Sequence, residues 1–321
     1  MKAIRQLGYG SPERVLMLEE VPAPTPTDDQ VLVRVRATSV NSGDCRQVRA
    51  TPVLIRFLQG MRRPKNPAFG ADAAGVVEAV GAAVADLHVG DEVYGIRRGA
   101  FGELVAGKTF ARKPANLNFE QAAAVPIAAC TALQAVRDKG GVKAGARVLI
   151  NGAGGGVGTF AVQIAVAMGA EVTAVTSADK IDLVRSLGAA NEIDRATEDF
   201  TTKRGEFDAV IDVGGDHSLG ATLKALKPTG TLVIVGAHAG VLRRLVIGNV
   251  RRRLLKQPIV FFIAEVTTDD LAALRAMIEA GKLTPVIDRT FPLEETAAAV
   301  AYAEGQQARG KVVVTVGPGS S

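Results

Sequence analysis

The chain has 321 residues, more than one ordinary domain holds, so we expect two domains. Its two cysteines, Cys45 and Cys130, show neither metal-ligand nor disulfide spacing, which predicts a reducing compartment, the cytoplasm. The net charge of +5 is compatible with nucleic acid, but Trp is absent and Tyr numbers only three. Aromatic stacking platforms are therefore lacking, and no nucleic-acid partner is expected. No apolar run reaches the roughly 18 residues of a membrane span, and no signal peptide is expected.

The first and last parts of the chain have the composition of a β domain. Up to about residue 121, strand candidates at 31–37, 74–80, 91–94 and 101–105 are separated by turns rich in Pro, Gly and Asp. This pattern predicts a partly closed β barrel. After residue 285 the pattern predicts a helix at about 293–305 and a closing strand at 311–316. We therefore expect a first domain of residues 1–121 that is completed by 286–321.

The middle of the chain, residues 122–285, alternates between strand and helix patterns. Strands are predicted near 147–150, 171–176, 191–193, 208–212, 231–235 and 259–262, with helical patterns between most of them. Because parallel strands are joined by right-handed crossovers, this order predicts an α/β domain with a doubly wound sheet of six strands.

The first of these strands runs into a glycine cluster that predicts a dinucleotide site. Ala153 is expected to make the tight exit from the strand, and Gly155 to let the backbone approach a pyrophosphate. Gly156 and Val157 open the next helix, whose free N–H groups would face the phosphates, while Gly158 allows close packing of helix and strand. The alternative is a glycine-rich loop without a ligand.

The end of the second strand favours NADPH over NADH. An enzyme that selects NAD usually carries Asp or Glu there, whereas this strand ends at Thr176 followed by Ser177. Ser177 and Lys180 are expected to bind the 2′-phosphate of NADPH. In the alternative interpretation, Ser177 caps a helix and Lys180 is a solvated helix residue beside Asp179.

Short motifs recur along the chain at 40–44, 70–77 with 80–81, 90–93, 124–126, 131–133, 153–158 and 310–314. Their order and spacing resemble the medium-chain dehydrogenase/reductase superfamily, specifically its zinc-free quinone oxidoreductase branch. The resemblance covers nearly the whole chain. It implies a GroES-like barrel built from both chain ends, an inserted Rossmann domain, bound NADPH, and a homodimer formed by strands near 259–262.

The departures from the zinc branch predict a site without metal. Zinc-dependent members carry Cys at the position of Asn41 and a His-Glu pair at Ala71 and Asp72. Neither Asn nor Ala can replace thiolate and imidazole as zinc ligands.

The resemblance also implies which side chains lie near the reaction. Asn41 corresponds to the Asn that family members place near nicotinamide and substrate, and Thr131 to the residue beside the nicotinamide. Asp44 is expected to order its loop rather than to transfer a proton. Arg46 stands where quinone reductases often have Tyr, which indicates either a substrate with a carbonyl or acidic group or a solvated loop residue.

Further cofactor contacts are implied at four positions. Val235 ends a predicted strand, and Gly236 would leave room for the nicotinamide ring. Lys311 belongs to the last family motif, and we expect it to contact the cofactor. Arg195 replaces a family Tyr near the 2′-phosphate, where it would bind the phosphate or adenine, or lie on the surface.

Three functions follow from this reading. The first is hydride transfer from NADPH to a small-molecule acceptor, a quinone or an α,β-unsaturated carbonyl, because the product anion is delocalised and needs no metal. The second is a reductase or dehydrogenase of simple carbonyls and alcohols. The third is a non-catalytic NADPH-binding protein of crystallin or RNA-binding type.

The segment 242–256 is basic and amphipathic. We interpret it as a solvated helix that flanks the active-site cleft, which the family resemblance implies between the two domains. A membrane-surface helix, an RNA-binding patch and a cover for the dimer edge are the alternatives.

Overall fold

The computed structural model describes residues 1–51, 54–215, 217–236 and 257–317. The basic segment 242–256 lies outside these described residues. Two compact units are present: the first comprises Met1–Ala128, Val266–Gly281 and Pro285–Ser321, and the second Ala129–Glu265 and Lys282–Thr284.

The strands, in chain order, are β1 (Lys2–Gln6), β2 (Leu16–Glu20), β3 (Val31–Val40), β4 (Asp72–Val80), β5 (Glu92–Ile96), β6 (Leu104–Gly107), β7 (Thr109–Arg112), β8 (Arg147–Asn151), β9 (Glu171–Thr176), β10 (Asn191–Asp194), β11 (Phe207–Asp212), β12 (Leu226–Val235), β13 (Ile259–Phe262), β14 (Ile287–Pro292) and β15 (Lys311–Thr315).

The α-helices of the described residues are α1 (Pro12–Val15), α2 (Ser42–Arg49), α3 (Leu54–Gln59), α4 (Phe119–Ala123), α5 (Pro126–Leu133), α6 (Gly156–Ala167), α7 (Ile181–Ser186), α8 (Leu219–Ala225), α9 (Thr268–Glu279) and α10 (Thr296–Glu304). A π-helical segment, Gln134–Lys139, continues α5, and short 3₁₀ turns occupy Ala178–Lys180, Phe200–Thr202 and Leu293–Glu295. In the part of the chain that the structure describes, no helix is both long and apolar enough to cross a bilayer.

The first unit is built on a sheet with the strand order β14-β15-β3-β4-β5-β7, in which β6 also pairs with β3. Its pairs are antiparallel except for β14 with β15, and β1 and β2 form a separate hairpin-like pair. The closing strand β15 pairs with β3, so the predicted return of 311–316 to the first part of the chain is observed. Side chains of β3 alternate in burial up to Arg36, and Ala37–Val40 are then all buried.

The boundaries of the two units differ from the predicted ones at 122–128 and 266–281. The helix α9 groups with the first unit because its contacts lie there. The Tyr94 hydroxyl donates a hydrogen bond to the Leu271 carbonyl at 2.5 Å, and the Asn116 amide donates to the Ile278 carbonyl at 2.9 Å. Periodicity marks α9 as a helix, but it carries no information about which sheet covers its apolar face.

The second unit contains the predicted doubly wound sheet. Its six strands are all parallel and follow the order β10-β9-β8-β11-β12-β13. The prediction of six parallel strands is therefore confirmed. In such a sheet the strand order reverses beside the first strand, here between β8 and β11, and ligands bind outside the carboxyl ends of the strands at that point.

Candidate active site

The turn after β8 has the geometry of a phosphate-binding turn. Gly152 adopts a φ of +82°, a left-handed conformation that favours glycine, so the sequence analysis assigned the tight exit to the wrong residue, Ala153. A Cβ atom on Gly158 would lie 2.1 Å from the Gly152 carbonyl oxygen and 2.7 Å from Ala153 Cα. Only glycine fits at 158, because the obstructing atoms belong to the backbone.

At position 155, no contact within the described part of the protein requires a glycine. The Gly155 backbone is extended, and a Cβ atom there would find its nearest neighbour, the Gly152 oxygen, at an ordinary 3.5 Å. The helix α6 begins at the next residue, Gly156, and Gly155, Gly156 and Val157 are all only half-buried. The positive end of a 12-residue helix thus begins beside a backbone that another molecule can approach closely. These residues fit the pyrophosphate of a dinucleotide.

The carboxyl end of β9 lies beside this turn. A Cβ atom on Gly154 would stand 2.6 Å from Thr176 Oγ1 and 2.7 Å from Lys180 Cδ, so both side chains pack on the turn. Lys180 is 7% exposed, which excludes the alternative of a solvated helix residue. Ser177 lies at the N-cap position of the 3₁₀ turn that follows, and its hydroxyl donates to Asp179 Oδ1 at 2.6 Å.

Arg195 joins this group through its backbone. It follows the last residue of β10, and its N–H donates to the Thr176 carbonyl at 2.9 Å, while its side chain is exposed. The structure therefore brings together Gly154, Thr176, Lys180 and Arg195. Thr176 and Lys180 thus contact the glycine turn through their side chains, and Arg195 contacts Thr176 through its backbone.

Three further predicted residues belong to the second unit. Thr131 is buried within α5, and Val235 is the buried last residue of β12. Gly236 adopts a φ of +75°, so its glycine is already required by the left-handed backbone after β12. From the sequence, we expected a glycine at 236 because it leaves room for the nicotinamide ring. The backbone conformation is a separate reason for glycine at this position.

A buried polar cluster surrounds Asn41 in the first unit. The Asn41 amide nitrogen donates to Asp72 Oδ2 at 2.8 Å, and its amide oxygen accepts from Lys311 Nζ at 2.7 Å. The Asn41 backbone N–H donates to Asp44 Oδ2 at 2.8 Å. Ser39 Oγ donates to Asp72 Oδ2 at 2.6 Å. Asp44 and Lys311, both singled out from the sequence, thus each contact Asn41.

Asp44 occupies the first turn of α2, where it orders the loop as expected. The pKa of the Asp44 carboxyl is raised to about 7, chiefly by burial and in smaller part by the Asp72 charge, against the lowering effects of the Asn41 hydrogen bonds and the Lys311 charge. Burial also lowers the pKa of Lys311, against the effect of Asp72 and Asp44. Arg46 lies in the helix α2 and is half-buried, which lowers the pKa of its guanidinium, so it is not a residue of a solvated loop.

The residues at the zinc-ligand positions do not fit a zinc ion. Both carboxylate oxygens of Asp72 are engaged: Oδ1 accepts from the Ile127 N–H at 3.0 Å, and Oδ2 lies 3.6 Å from Lys311 Nζ in addition to its two hydrogen bonds. An ammonium group therefore stands beside the two side chains, Asn41 and Asp72, that replace the family's ligands. Within the described ranges, no three His, Cys, Asp or Glu side chains are grouped to hold a metal ion.

Sequence reasoning missed Ser39 and the central position of Asp72. Asp72 was noted only as a departure from the zinc pattern, although it is 0% exposed and carries four contacts. A buried carboxylate within a strand of small apolar residues was the available signal, because such a group requires partners. Ser39 carried no comparable signal.

Two family models match the chain. Residues 27–109 match the alcohol dehydrogenase GroES-like domain, and residues 187–314 match the zinc-binding dehydrogenase family. These matches agree with the GroES-like and Rossmann folds expected for the two units.

Proteins of known activity are similar over almost the whole length. The 2-methylene-furan-3-one reductase of Solanum lycopersicum is 33% identical over 98% of this chain and 79% of its own. The chloroplastic NADPH-dependent alkenal/one oxidoreductase of Arabidopsis thaliana is also 33% identical, with the same coverage of both chains. Among solved structures, the quinone oxidoreductase from Coxiella burnetii superposes with a TM-score of 0.88, at 31% identity and 99% coverage of both chains.

Proposed function

Because this chain belongs to the medium-chain dehydrogenase/reductase superfamily, we propose that it transfers hydride from NADPH to a quinone or an α,β-unsaturated carbonyl. The similar proteins named above act, by their names, on quinones, alkenals or enones and a furanone with a conjugated methylene group. All of these acceptors share one property. After hydride addition, their negative charge spreads into a hydroquinonate or an enolate.

The observation that carries the proposal is the set of side chains that occupy the family's zinc-ligand positions. Oxidation of a simple alcohol needs a Lewis acid to hold the alkoxide. Here Asn41 and Asp72 bind the Lys311 ammonium group instead. A buried ammonium supplies positive charge without the open coordination position of a metal ion, which suits an anion that is already delocalised. This chemistry favours conjugated acceptors over simple carbonyls.

The chain's own residues would hold the cofactor at two places. The backbone from Gly155 to Val157 would bind the pyrophosphate at the start of α6, and Lys180 with Arg195 would bind the 2′-phosphate. NADPH, when bound, supplies the hydride from C4 of its dihydronicotinamide. We assign Thr131, Val235 and Gly236 to the nicotinamide side of the site, as the family resemblance implies.

A turnover screen tests the reaction. NADPH oxidation is measured with a quinone, an alkenal and an enone, and NADP⁺ reduction with secondary alcohols. We expect kcat/KM for the conjugated acceptors to exceed that for alcohols by about 10²–10³-fold. Efficient alcohol oxidation with inert quinones and enones would contradict the proposal and favour the simple carbonyl reductase. Tight NADPH binding without any turnover would favour the non-catalytic protein.

Cofactor choice is tested at Lys180. The substitution Lys180→Glu places a negative charge beside the glycine turn and should weaken NADPH binding more than NADH binding, by roughly 2–3 kcal/mol. The matched control is Lys143→Glu, which makes the same charge change at an exposed loop residue. Equal losses for the two cofactors would contradict a contact between Lys180 and the 2′-phosphate.

Asn41 is tested by separating turnover from cofactor affinity. Asn41→Ala should lower kcat while sparing NADPH affinity more than Lys180→Glu does, because we assign Asn41 to the reaction and Lys180 to cofactor binding. Equal losses of NADPH affinity in Asn41→Ala and Lys180→Glu would indicate that Asn41 only contacts the cofactor.

Assembly and location complete the proposal. The edge strand β13 pairs only with β12 among the described strands, and Ile263 after it is 76% exposed. An exposed apolar edge invites pairing, so we assign a homodimer to this strand. The two cysteines, Cys45 and Cys130, are buried thiols, which supports a cytoplasmic location. The first compact unit would form the catalytic domain, and the second the nucleotide domain.

A further inference from the structure

The side-chain amide of Asn41 is held in one orientation by charged partners. A lysine ammonium can only donate hydrogen bonds, and an ionised carboxylate can only accept them. With Lys311 on one side and Asp72 on the other, the amide oxygen must face the ammonium and the amide nitrogen the carboxylate. The distances of 2.7 Å and 2.8 Å agree with this arrangement. A rotated amide would place donor against donor and acceptor against acceptor.

The sheet itself brings Lys311 to this place. Val312 of β15 pairs with Val40 of β3, so Lys311 lies opposite Asn41, the residue that follows β3. The ammonium group has three acceptors at hand: Asn41 Oδ1 at 2.7 Å, the Val40 carbonyl at 3.1 Å and Asp72 Oδ2 at 3.6 Å. Lys311 is 3% exposed and Asp72 0%, so water does not supply these contacts.

We propose that Lys311 is a positioning residue of the reductase site: its ammonium group fixes the Asn41 amide in one orientation and neutralises the buried Asp72 carboxylate. This inference rests on the proposed function, in which Asn41 lies at the reacting end. It differs from the family-based assignment of Lys311 as a cofactor contact.

Two physical consequences follow. The ammonium and the carboxylate polarise the amide between them, because hydrogen bonds in a chain strengthen one another in a low dielectric. The hydrogen bond from the Asn41 amide to Asp72 is therefore stronger than one from an isolated asparagine. Removal of Lys311 leaves Asp72 buried without a counter-charge, and Asp44 adds a second carboxyl group nearby. Lys311 therefore contributes both to the orientation of the amide, together with Asp72 and the Ser39 carbonyl, and to the charge balance.

The first test needs no turnover. The Asn41 side-chain amide signal is observed by NMR in the labelled full-length chain and identified by its loss in Asn41→Ala. In Lys311→Ala this signal should move and exchange faster with solvent. The matched control is Lys113→Ala, which removes another buried lysine with a carboxylate partner, Glu92, at 3.1 Å. The control should leave the Asn41 signal in place. An unchanged signal in Lys311→Ala would overturn the proposal.

The second test is chemical rescue. Lys311→Ala should lower kcat roughly 100-fold, the effect of a misplaced reacting group, with a much smaller change in NADPH affinity. Methylammonium, which carries N–H donors, should restore both the NMR signal and part of kcat, whereas tetramethylammonium should restore neither. Lost NADPH affinity with unchanged kcat would make Lys311 a cofactor contact and overturn the proposal.

A second variant covers the case in which Lys311→Ala does not fold. The pair Lys311→Met and Asp72→Asn removes both buried charges together, which costs less stability than removing one. This double variant should fold and displace the Asn41 signal further than Asp72→Asn alone does, and equal displacement in the two variants would overturn the proposal. If the wild-type chain reduces none of the acceptors, the proposed reaction fails, and the NMR comparison decides the role of Lys311 on its own.

Discussion

Asp44 makes the stability of the fold depend on pH within a defined window. Burial raises the pKa of its carboxyl from 3.8 to about 7. The folded chain therefore keeps this proton to a higher pH than the unfolded chain does. The stabilising contribution of Asp44 is complete below pH 3.8 and is lost as the pH rises through about 7. Stability of the first unit should fall across this window.

The substitution Asp44→Asn isolates the effect. An Asn side chain retains the oxygen that accepts the hydrogen bond from the Asn41 backbone, but it carries no titrating proton. The shift from 3.8 to about 7 is roughly 3 pKa units, which at about 1.36 kcal/mol per unit corresponds to roughly 4 kcal/mol. The free energy of unfolding of the variant, relative to wild type, should therefore rise by about 4 kcal/mol between about pH 4 and pH 8.

The assay is urea unfolding at a series of pH values and one protein concentration. Circular dichroism is the suitable signal because the chain contains no Trp. The matched control is Asp182→Asn, whose carboxylate is 96% exposed and should produce no comparable rise. If the difference in the free energy of unfolding between Asp44→Asn and wild type stays constant from about pH 4 to pH 8, the reasoning is refuted. If that difference falls with rising pH, the sign of the predicted effect is wrong as well.

The remaining predictions concern the glycine turn, the metal and the assembly. Gly158→Ala forces a Cβ atom against the Gly152 carbonyl and should destabilise the second unit by about 1–3 kcal/mol and abolish NADPH binding. Gly155→Ala should fold with an unchanged Tm but lose NADPH affinity, and equal Tm losses in the two variants would contradict this distinction. Metal analysis should find no stoichiometric zinc, and chelation should leave turnover unchanged; one tightly bound zinc per chain would contradict this. Light scattering should give the mass of a dimer, and a monomer in dilute solution would exclude pairing through β13.

The sheet of the middle segment could be predicted because its central strands β8, β11 and β12 are largely buried. Val148 to Ile150 form an apolar run that leads to glycines, and the apolar ends of β11 and β12 do the same. The β domain was harder to predict. The strand predicted at 101–105 begins three residues before the observed β6, Leu104–Gly107. Phe101 and Gly102 are not part of β6, because they contact residues of β1 instead.

Residues of the site were predicted where local sequence determines their role. Lys180 and Arg195 follow strand ends, and the positions of strand ends can be read from hydrophobic patterns. The contacts of Asn41 could not be predicted in this way. Asp72 is 31 residues away in sequence and Lys311 is 270, so only the pairing of β3 with β4 and β15 brings them together. The family motifs named Asn41 and Lys311 separately but gave no indication that they touch.

The pairing of β15 with β3 also bears on how the chain is synthesised. At roughly 5–20 residues per second, the 270 residues between Asn41 and Lys311 take about 15–55 s to translate. All six strands of the parallel sheet emerge before β15 does, so the second unit can complete its folding while the first still lacks a strand. During that interval the end of β3 at Ala37–Val40 has an open edge, the form of nascent sheet that chaperones protect from aggregation.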